Sequence, residues 1–285
     1  HGDPIIDGEN EFTRIRLAHR VGEKKYHQRT GSGVHVYVPH GLKIEPETEA
    51  LVIVEGEFKA LALFESGIPA VGVSGFYGFQ SGDAICEELE EVLEYGDNVN
   101  QLLFLGDSDT ALNWQFAHAA VRLKRQFPNK RILLPRLAID GPKGIDDLKE
   151  ELLKDANNGE GEDDFRRRWL QMVNEAPEVT GDMKARDLAM NLFRRESESL
   201  KGVQGEKRTW ALHKMAKLAS FMDSVEASEV TDVAVEMKFG RRNFTATVKE
   251  AKEKRKRERT TEAVEFKVDE EEVWYAPDFR RYWIL

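Results

Sequence analysis

The chain has 285 residues, 40% apolar and 33% charged, with a net charge of -10. That is enough for one large domain or two ordinary ones with a real core, and the acidic balance argues against a protein that coats duplex nucleic acid while leaving room for a local basic groove. A single cysteine, Cys86, excludes an internal disulfide and a cysteine-built zinc module. Cys86 lies in DAICEELEEVL and reads as a small buried hydrophobe. No apolar run reaches membrane-spanning length and no signal peptide is visible, so a cytoplasmic chain without a membrane partner is expected. It begins HGDP rather than with methionine, as expected of a fragment cut from a longer protein.

Residues 11–38 alternate apolar and polar residues around TGSG, which predicts strand, turn, strand. Between Arg14 and Arg29 six basic residues (Arg14, Arg16, Arg20, Lys24, Lys25 and Arg29) face a single acid, Glu23. An acidic chain that concentrates positive charge on one hairpin offers it to phosphates.

From about residue 49 the pattern changes. ALVIVEG reads as a strand covered on both faces, and EFKALALFESG as a short helix closed by Gly67. IPAVGVSG is a second strand, DAICEELEEVLEYG a second helix, QLLFLG a third strand, TALNWQFAHAAVRLKRQF a third helix and RILLPRL a fourth strand. Strands alternating with helices long enough to cross over predict a parallel α/β sheet. KDANNGEGEDD, at 154–164, reads as a linker; helical patterns follow it, ending in the mixed-charge stretch VKEAKEKRKRERTTEA. The basic cluster Lys252 to Arg259 in that stretch reads first as a solvated helix face.

Two aspartates, Asp107 and Asp109, close the third strand in LLFLGDSDT. Adjacent carboxylates repel unless water or a cation sits between them, so a metal site, a phosphatase nucleophile and a solvated turn compete here. Glu55 ends the first parallel strand in VIVEGEF. If the two strands are neighbours, three hard oxygen donors meet at one carboxyl edge, where parallel sheets bind ligands. Such a set suits Mg²⁺ or Mn²⁺.

LVIVEGEFKALAL, VGVSG and LLFLGDSDT together resemble the TOPRIM domain shared by bacterial primases, topoisomerases and certain nucleases. Glu55 matches that family's glutamate, and Asp107 and Asp109 match its aspartates. KKYHQRTGSGVHVYVP ahead of this region and KGIDDL after it look like the primase-type branch found in plasmid and phage replication proteins. EVWYAPDFRRYWIL, at the C-terminus, resembles the start of the region leading into a fused helicase. The resemblance covers roughly residues 11–150 and, loosely, the last dozen. It implies an α/β fold, a Rossmann-like parallel sheet preceded by an antiparallel β hairpin region; the helical region that follows is read from its own residue pattern and has no family match. The divisions expected are 1–45 (basic β region), 46–153 (TOPRIM domain), 160–260 (helical) and 261–285 (start of a truncated following domain).

The activity implied is metal-dependent primer synthesis on a single-stranded DNA template, using nucleoside triphosphates and Mg²⁺ or Mn²⁺. Glu55, Asp107 and Asp109 would carry it, with Glu55 a metal ligand or the general base. Many family sequences place an acid or a glycine just after the second aspartate, where this chain has Thr110 and Ala111. Asp146 and Asp147 are the replacement donors available, although both also suit a helix N-terminus. Phosphate contacts are expected from Lys143, Lys59, Gly56, Ser74 and Gly75. Lys59 competes with a solvent-facing reading, and Glu57 is favoured by the helix dipole alone. In SGFYGF, Phe76 and Tyr77 read equally as base-stacking rings or as loop anchors, and Tyr26 joins the hairpin basics as a template contact.

Three alternatives stand beside primer synthesis. The same acids serve a nuclease, because both reactions are metal-assisted chemistry at a phosphodiester. A haloacid-dehalogenase-type phosphatase wants Thr or Val two places beyond the second aspartate, where Ala111 stands. A nucleic-acid-binding module of a larger primase-helicase needs no intact metal site. Repulsion among the three acids further predicts that Glu55→Gln, Asp107→Asn and Asp109→Asn each abolish activity without destabilising the protein.

Overall fold

The computed structural model describes residues 5–7, 10–12, 14–21, 24–28, 33–96, 98–155 and 160–268, with side chains between 33 and 258 apart from 97 and 155–159. The chain divides into two compact units, His1–Ala211 and Leu212–Leu285.

In the first unit, β1 (Ile5–Asp7) pairs antiparallel with β2 (Asn10–Phe12). β3 (Arg14–Val21) pairs antiparallel with β4 (Lys24–Gln28), with Arg16 opposite Tyr26, so the hairpin turns ahead of TGSG, and Val36–Tyr37 beyond TGSG pairs with Val73 and Gly72 instead of with β4. The chain continues through β5 (Val36–Tyr37), β6 (Ala50–Glu55), α1 (Glu57–Glu65), β7 (Ala70–Val73), β8 (Gln80–Ser81), β9 (Ala84–Ile85) and α2 (Glu87–Glu94). After these come β10 (Gln101–Leu105), a 3-10 turn at Thr110–Leu112, α3 (Trp114–Gln126), β11 (Arg131–Leu133), α4 (Ile145–Asp155), α5 (Glu160–Asn174), β12 (Glu178–Val179) and α6 (Ala185–Gly202). α7 (Gly205–Ala219) runs across the boundary between the units.

Six strands form one sheet in the order β12-β11-β10-β6-β7-β5, with β11, β10, β6 and β7 parallel and the two outer strands antiparallel. The fold is therefore the expected mixed α/β type. β7 lies on one side of β6 and β10 on the other, so the winding reverses between β6 and β10. In open α/β sheets the crevice at such a reversal is where ligands bind.

Period-two alternation sends the strand side chains to both faces. Val52, Val54, Leu103 and Leu105 share one buried cluster with Leu63 of α1, Leu148 of α4 and Phe165 and Trp169 of α5. On the other side Phe104 stacks on Phe116 of α3, ring centroids 5.0 Å apart. With both faces covered, continuous apolar strands are what the physics requires. β11 is shorter than the apolar run RILLPRL because Pro135 has no N–H to extend the ladder. The stretch 154–164, expected as a linker, holds the last two residues of α4 and is helical again from Glu160 onward, where Glu160, Glu162 and Asp163 fill the first turn of α5. Cys86 is buried as expected, and burial pushes its thiol up to about 11.

The second unit holds α8 (Ser224–Glu236) and α9 (Arg241–Val268). Asp223 and Glu226 form a capping box on α8. On α9, Lys254, Lys256 and Arg257 are exposed, while the Arg255 guanidinium lies 4.3 Å from the centre of the Phe221 ring. Among the described residues no helix is long and apolar enough to cross a membrane.

Candidate active site at the carboxyl edge of the sheet

β6 and β10 are direct neighbours, with Val54 opposite Leu105. Glu55 therefore ends its strand beside the turn that carries Asp107 and Asp109. Past Glu55 the chain must leave the sheet and enter α1 within one residue. Gly56 makes that turn at φ +109°, a conformation that side-chain-bearing residues rarely adopt. Its N–H donates to Val73 O over 3.0 Å, and Gly75 N–H donates to the same oxygen over 3.0 Å. Both of these N–H groups are thus engaged within the fold. Ser74 and Gly75 follow β7 on the same edge.

After Leu105 the chain alternates again: Ser108 and Thr110 are buried, while Asp107 and Asp109 are partly exposed. Together with burial, both carboxylates act on Glu55, raising its proton affinity. Thr110, where the resemblance leaves a donor missing, is a buried residue that opens the 3-10 turn. The loop after β11 is drawn onto this turn, since Ser108 N–H donates to Lys143 O over 2.9 Å. That bond brings Lys143 and the start of α4 to the acids.

Asp107 is held by two lysines. Lys59 Nζ pairs with its Oδ1, and Lys143 Nζ lies 3.3 Å from its Oδ2. The Lys59 and Asp107 side chains are each only 16% exposed, whereas Lys143 is 68% exposed. Burial works against the charged form of Lys59, but the charge and hydrogen bond of Asp107, helped by Glu55 and Asp146, outweigh it and raise its pKa. Burial raises the pKa of Glu55, with Asp107 and Asp109 adding to the shift and Lys59 and Lys143 opposing it. One electrostatic cluster therefore joins Glu55, Asp107, Asp109, Lys59 and Lys143.

Asp146 and Asp147 separate in role. Asp147 Oδ2 accepts the Gly144 N–H over 2.9 Å, as a capping acid does at the third position of a helix. Asp146 Oδ1 is buried and has no hydrogen-bond partner among the described residues. It abuts Gly144, where an added Cβ would collide with it and with Lys59 Cε at 2.8 Å.

The donor set suits a hard divalent cation: every acid offers oxygen, one buried carboxylate oxygen is unsatisfied, and Asp107 already attracts two ammonium groups. Even so, among the described residues no three His, Cys, Asp or Glu side chains converge as a ready-made metal cage.

The SGFYGF loop splits between the two readings of its rings. Phe76 packs edge-on against Phe104 and Phe116, with centroids at 6.4 and 5.4 Å, and Phe79 is fully buried, so both rings anchor the loop to the core. Tyr77 turns instead toward α3, its hydroxyl 3.0 Å from His118 Nδ1, and Trp114 lies against the same imidazole. Burial, with Arg122 and Arg125 nearby, lowers the His118 pKa. Trp114, His118 and Arg122 were not among the expected residues, although their spacing of four along one helix face was readable. Arg14, Arg16, Lys24, Lys25 and Tyr26 fall on the β3–β4 hairpin. Arg29 and the C-terminal EVWYAPDFRRYWIL lie outside the described residues.

No protein-family model matches the chain, and no curated protein matches it significantly. Among solved structures it is similar to the Aquifex aeolicus primase (zinc binding and RNA polymerase domains), with a TM-score of 0.36 and 17% identity over 85% of this chain. The chain spans about half, 52%, of that structure's length. A likeness at this level carries no argument, and the site is read from its own residues.

Proposed function

We propose that the chain is a TOPRIM-type, primase-like nucleotidyltransferase that extends primers on a single-stranded DNA template with nucleoside triphosphates. The observation that carries this reading is that Glu55 and the turn bearing Asp107 and Asp109 close neighbouring strands at the reversal of the sheet and act on one another's charge. The EG and DxD resemblance supplies the reaction class. Asp107 and Asp109 would hold Mg²⁺ or Mn²⁺ beside Glu55, with Asp146 the additional donor. When bound, such an ion neutralises phosphate charge and lowers the pKa of the attacking hydroxyl.

The remaining roles fall to the chain's own groups. The 3′-hydroxyl attacks the α-phosphate and pyrophosphate leaves. Glu55, whose proton affinity is raised by burial, takes the hydroxyl proton as general base. Lys143, exposed at the rim, faces the triphosphate. The β3–β4 hairpin carries the basic residues that would track the template backbone. A fused or associated helicase, a cytoplasmic location and a place in mobile-element replication complete the proposal, each resting on the sequence resemblance or composition.

One observation favours a second reading. Lysine pairing at Asp107, without three converging acids, suits a nucleic-acid-binding module whose metal site has decayed. Incubation with Mn²⁺, single-stranded DNA and nucleotides separates the two. Short oligomers that disappear in Asp107→Ala are the expected result. Shortening of the template without synthesis would assign a nuclease, and an inert protein that still binds DNA would assign the module.

A further inference from the structure

Lys59 lies on the inward side of α1, two residues past Glu57, the first residue of the helix, with its ammonium group on Asp107. An ammonium ion and a divalent cation cannot both take the same carboxylate oxygen, because like charges repel and the oxygen is shared. An ion that takes Asp107 Oδ1, the oxygen Lys59 holds, therefore moves Lys59. A buried lysine left without an acid would be costly, so its displacement requires a second seat.

The structure contains such a seat. Asp146 Oδ1 is buried without a hydrogen-bond partner among the described residues. Both it and Lys59 Cε crowd the point that a Gly144 side chain would occupy. The two groups thus approach each other over Gly144, and only a residue without a side chain leaves them room to do so. Lys59 Cε and Asp146 Oδ1 both lie within 3 Å of the position a Gly144 Cβ would take, and Asp146 already acts on the Lys59 charge.

We infer that Lys59 is an internal counter-cation with two seats, Asp107 when no divalent ion is bound and Asp146 when one is. This inference rests on the metal-site reading given above, and it changes the role of Asp146 from metal ligand to receiver of the displaced lysine. On this account the Lys59 ammonium keeps a carboxylate partner in both states. Lys143, 68% exposed and 3.3 Å from Asp107 Oδ2, is the lysine that would turn outward to phosphate.

The test is Mn²⁺ binding to the full chain without nucleotide, read by calorimetry and by the electron paramagnetic resonance signal of free Mn²⁺. Lys59→Met removes the competitor and should tighten Mn²⁺ binding roughly 10- to 100-fold, the usual size of such a coupling. Asp146→Asn should weaken binding in the parent chain but have little effect in the Lys59→Met background. If Asp146→Asn weakens binding equally in both backgrounds, Asp146 is a direct ligand and the two-seat account fails. Unchanged affinity in Lys59→Met also overturns it, while leaving the metal site in place. Failure of every variant to bind Mn²⁺ would instead sink the metal-site reading itself. Lys59→Gln provides a second competitor-free chain should Lys59→Met fold poorly.

Discussion

Replacing Asp107 by asparagine in the metal-depleted protein should destabilise it, whereas replacing Glu55 by glutamine should not. The geometry explains the opposite signs. Asp107 neutralises Lys59 within a pair whose side chains are each 16% exposed, and also touches the exposed Lys143. Breaking a fully buried pair from one side costs about 3–5 kcal/mol, because the other charge is left stranded. Here Glu55 and Asp146 remain near Lys59 and repulsion on Glu55 is relieved, so about 2 kcal/mol is expected. The exposed Lys143 contact adds no more than about 1 kcal/mol. For a unit of this size the melting temperature should fall by roughly 4–8 °C. Thermal unfolding in EDTA, followed by circular dichroism, measures it. An Asp107→Asn chain as stable as the parent would refute the claim that the lysine pair holds this edge together. The same result would restore the simpler expectation from sequence, that removing any of the three acids merely relieves repulsion.

Glu55 should show its own pH signature. Its folded-state pKa is raised from the ordinary 4.5, so its contribution to stability is fully present below 4.5 and is lost as pH rises through the raised value. Glu55→Gln should therefore melt higher than the parent near neutral pH, and the gap should close as the pH falls below 4.5; a gap independent of pH would contradict the burial argument. Gly56→Ala forces a side chain into φ +109° and should cost about 1–3 kcal/mol in chemical denaturation, with loss of activity as the Glu55 turn shifts. Phe104→Ala opens a hole beneath Phe76, Phe79 and Phe116 and should cost about 3–5 kcal/mol, measured as a lowered denaturant midpoint.

Much of this architecture was readable from the chain because burial on both faces of a parallel sheet leaves an apolar signature. ALVIVE, AVGV and QLLFL are all strands, and the first and third, which the acids close, are neighbours in the sheet. Other features depended on long-range packing. Lys59 looks like an ordinary surface lysine until the turn after β10 is placed beside it. Phe76 and Tyr77 are adjacent in sequence, yet one belongs to the core and the other to a cluster on α3, a division set by where Phe104 and His118 lie. The start of α5 resembled a linker because acids are favoured in a helix's first turn and also abundant in solvated loops. Only Phe165 and Trp169, docked on the sheet, separate the two cases.

The most direct measurement is a crystal structure of the chain soaked with Mn²⁺ and a nucleoside triphosphate, with data collected at a wavelength that identifies manganese by its anomalous signal. The account predicts a manganese peak between Glu55 and the Asp107–Asp109 turn, with the triphosphate reaching Lys143. An anomalous map without manganese at that edge, with Lys59 still seated on Asp107 at saturating Mn²⁺ and nucleotide, would contradict it.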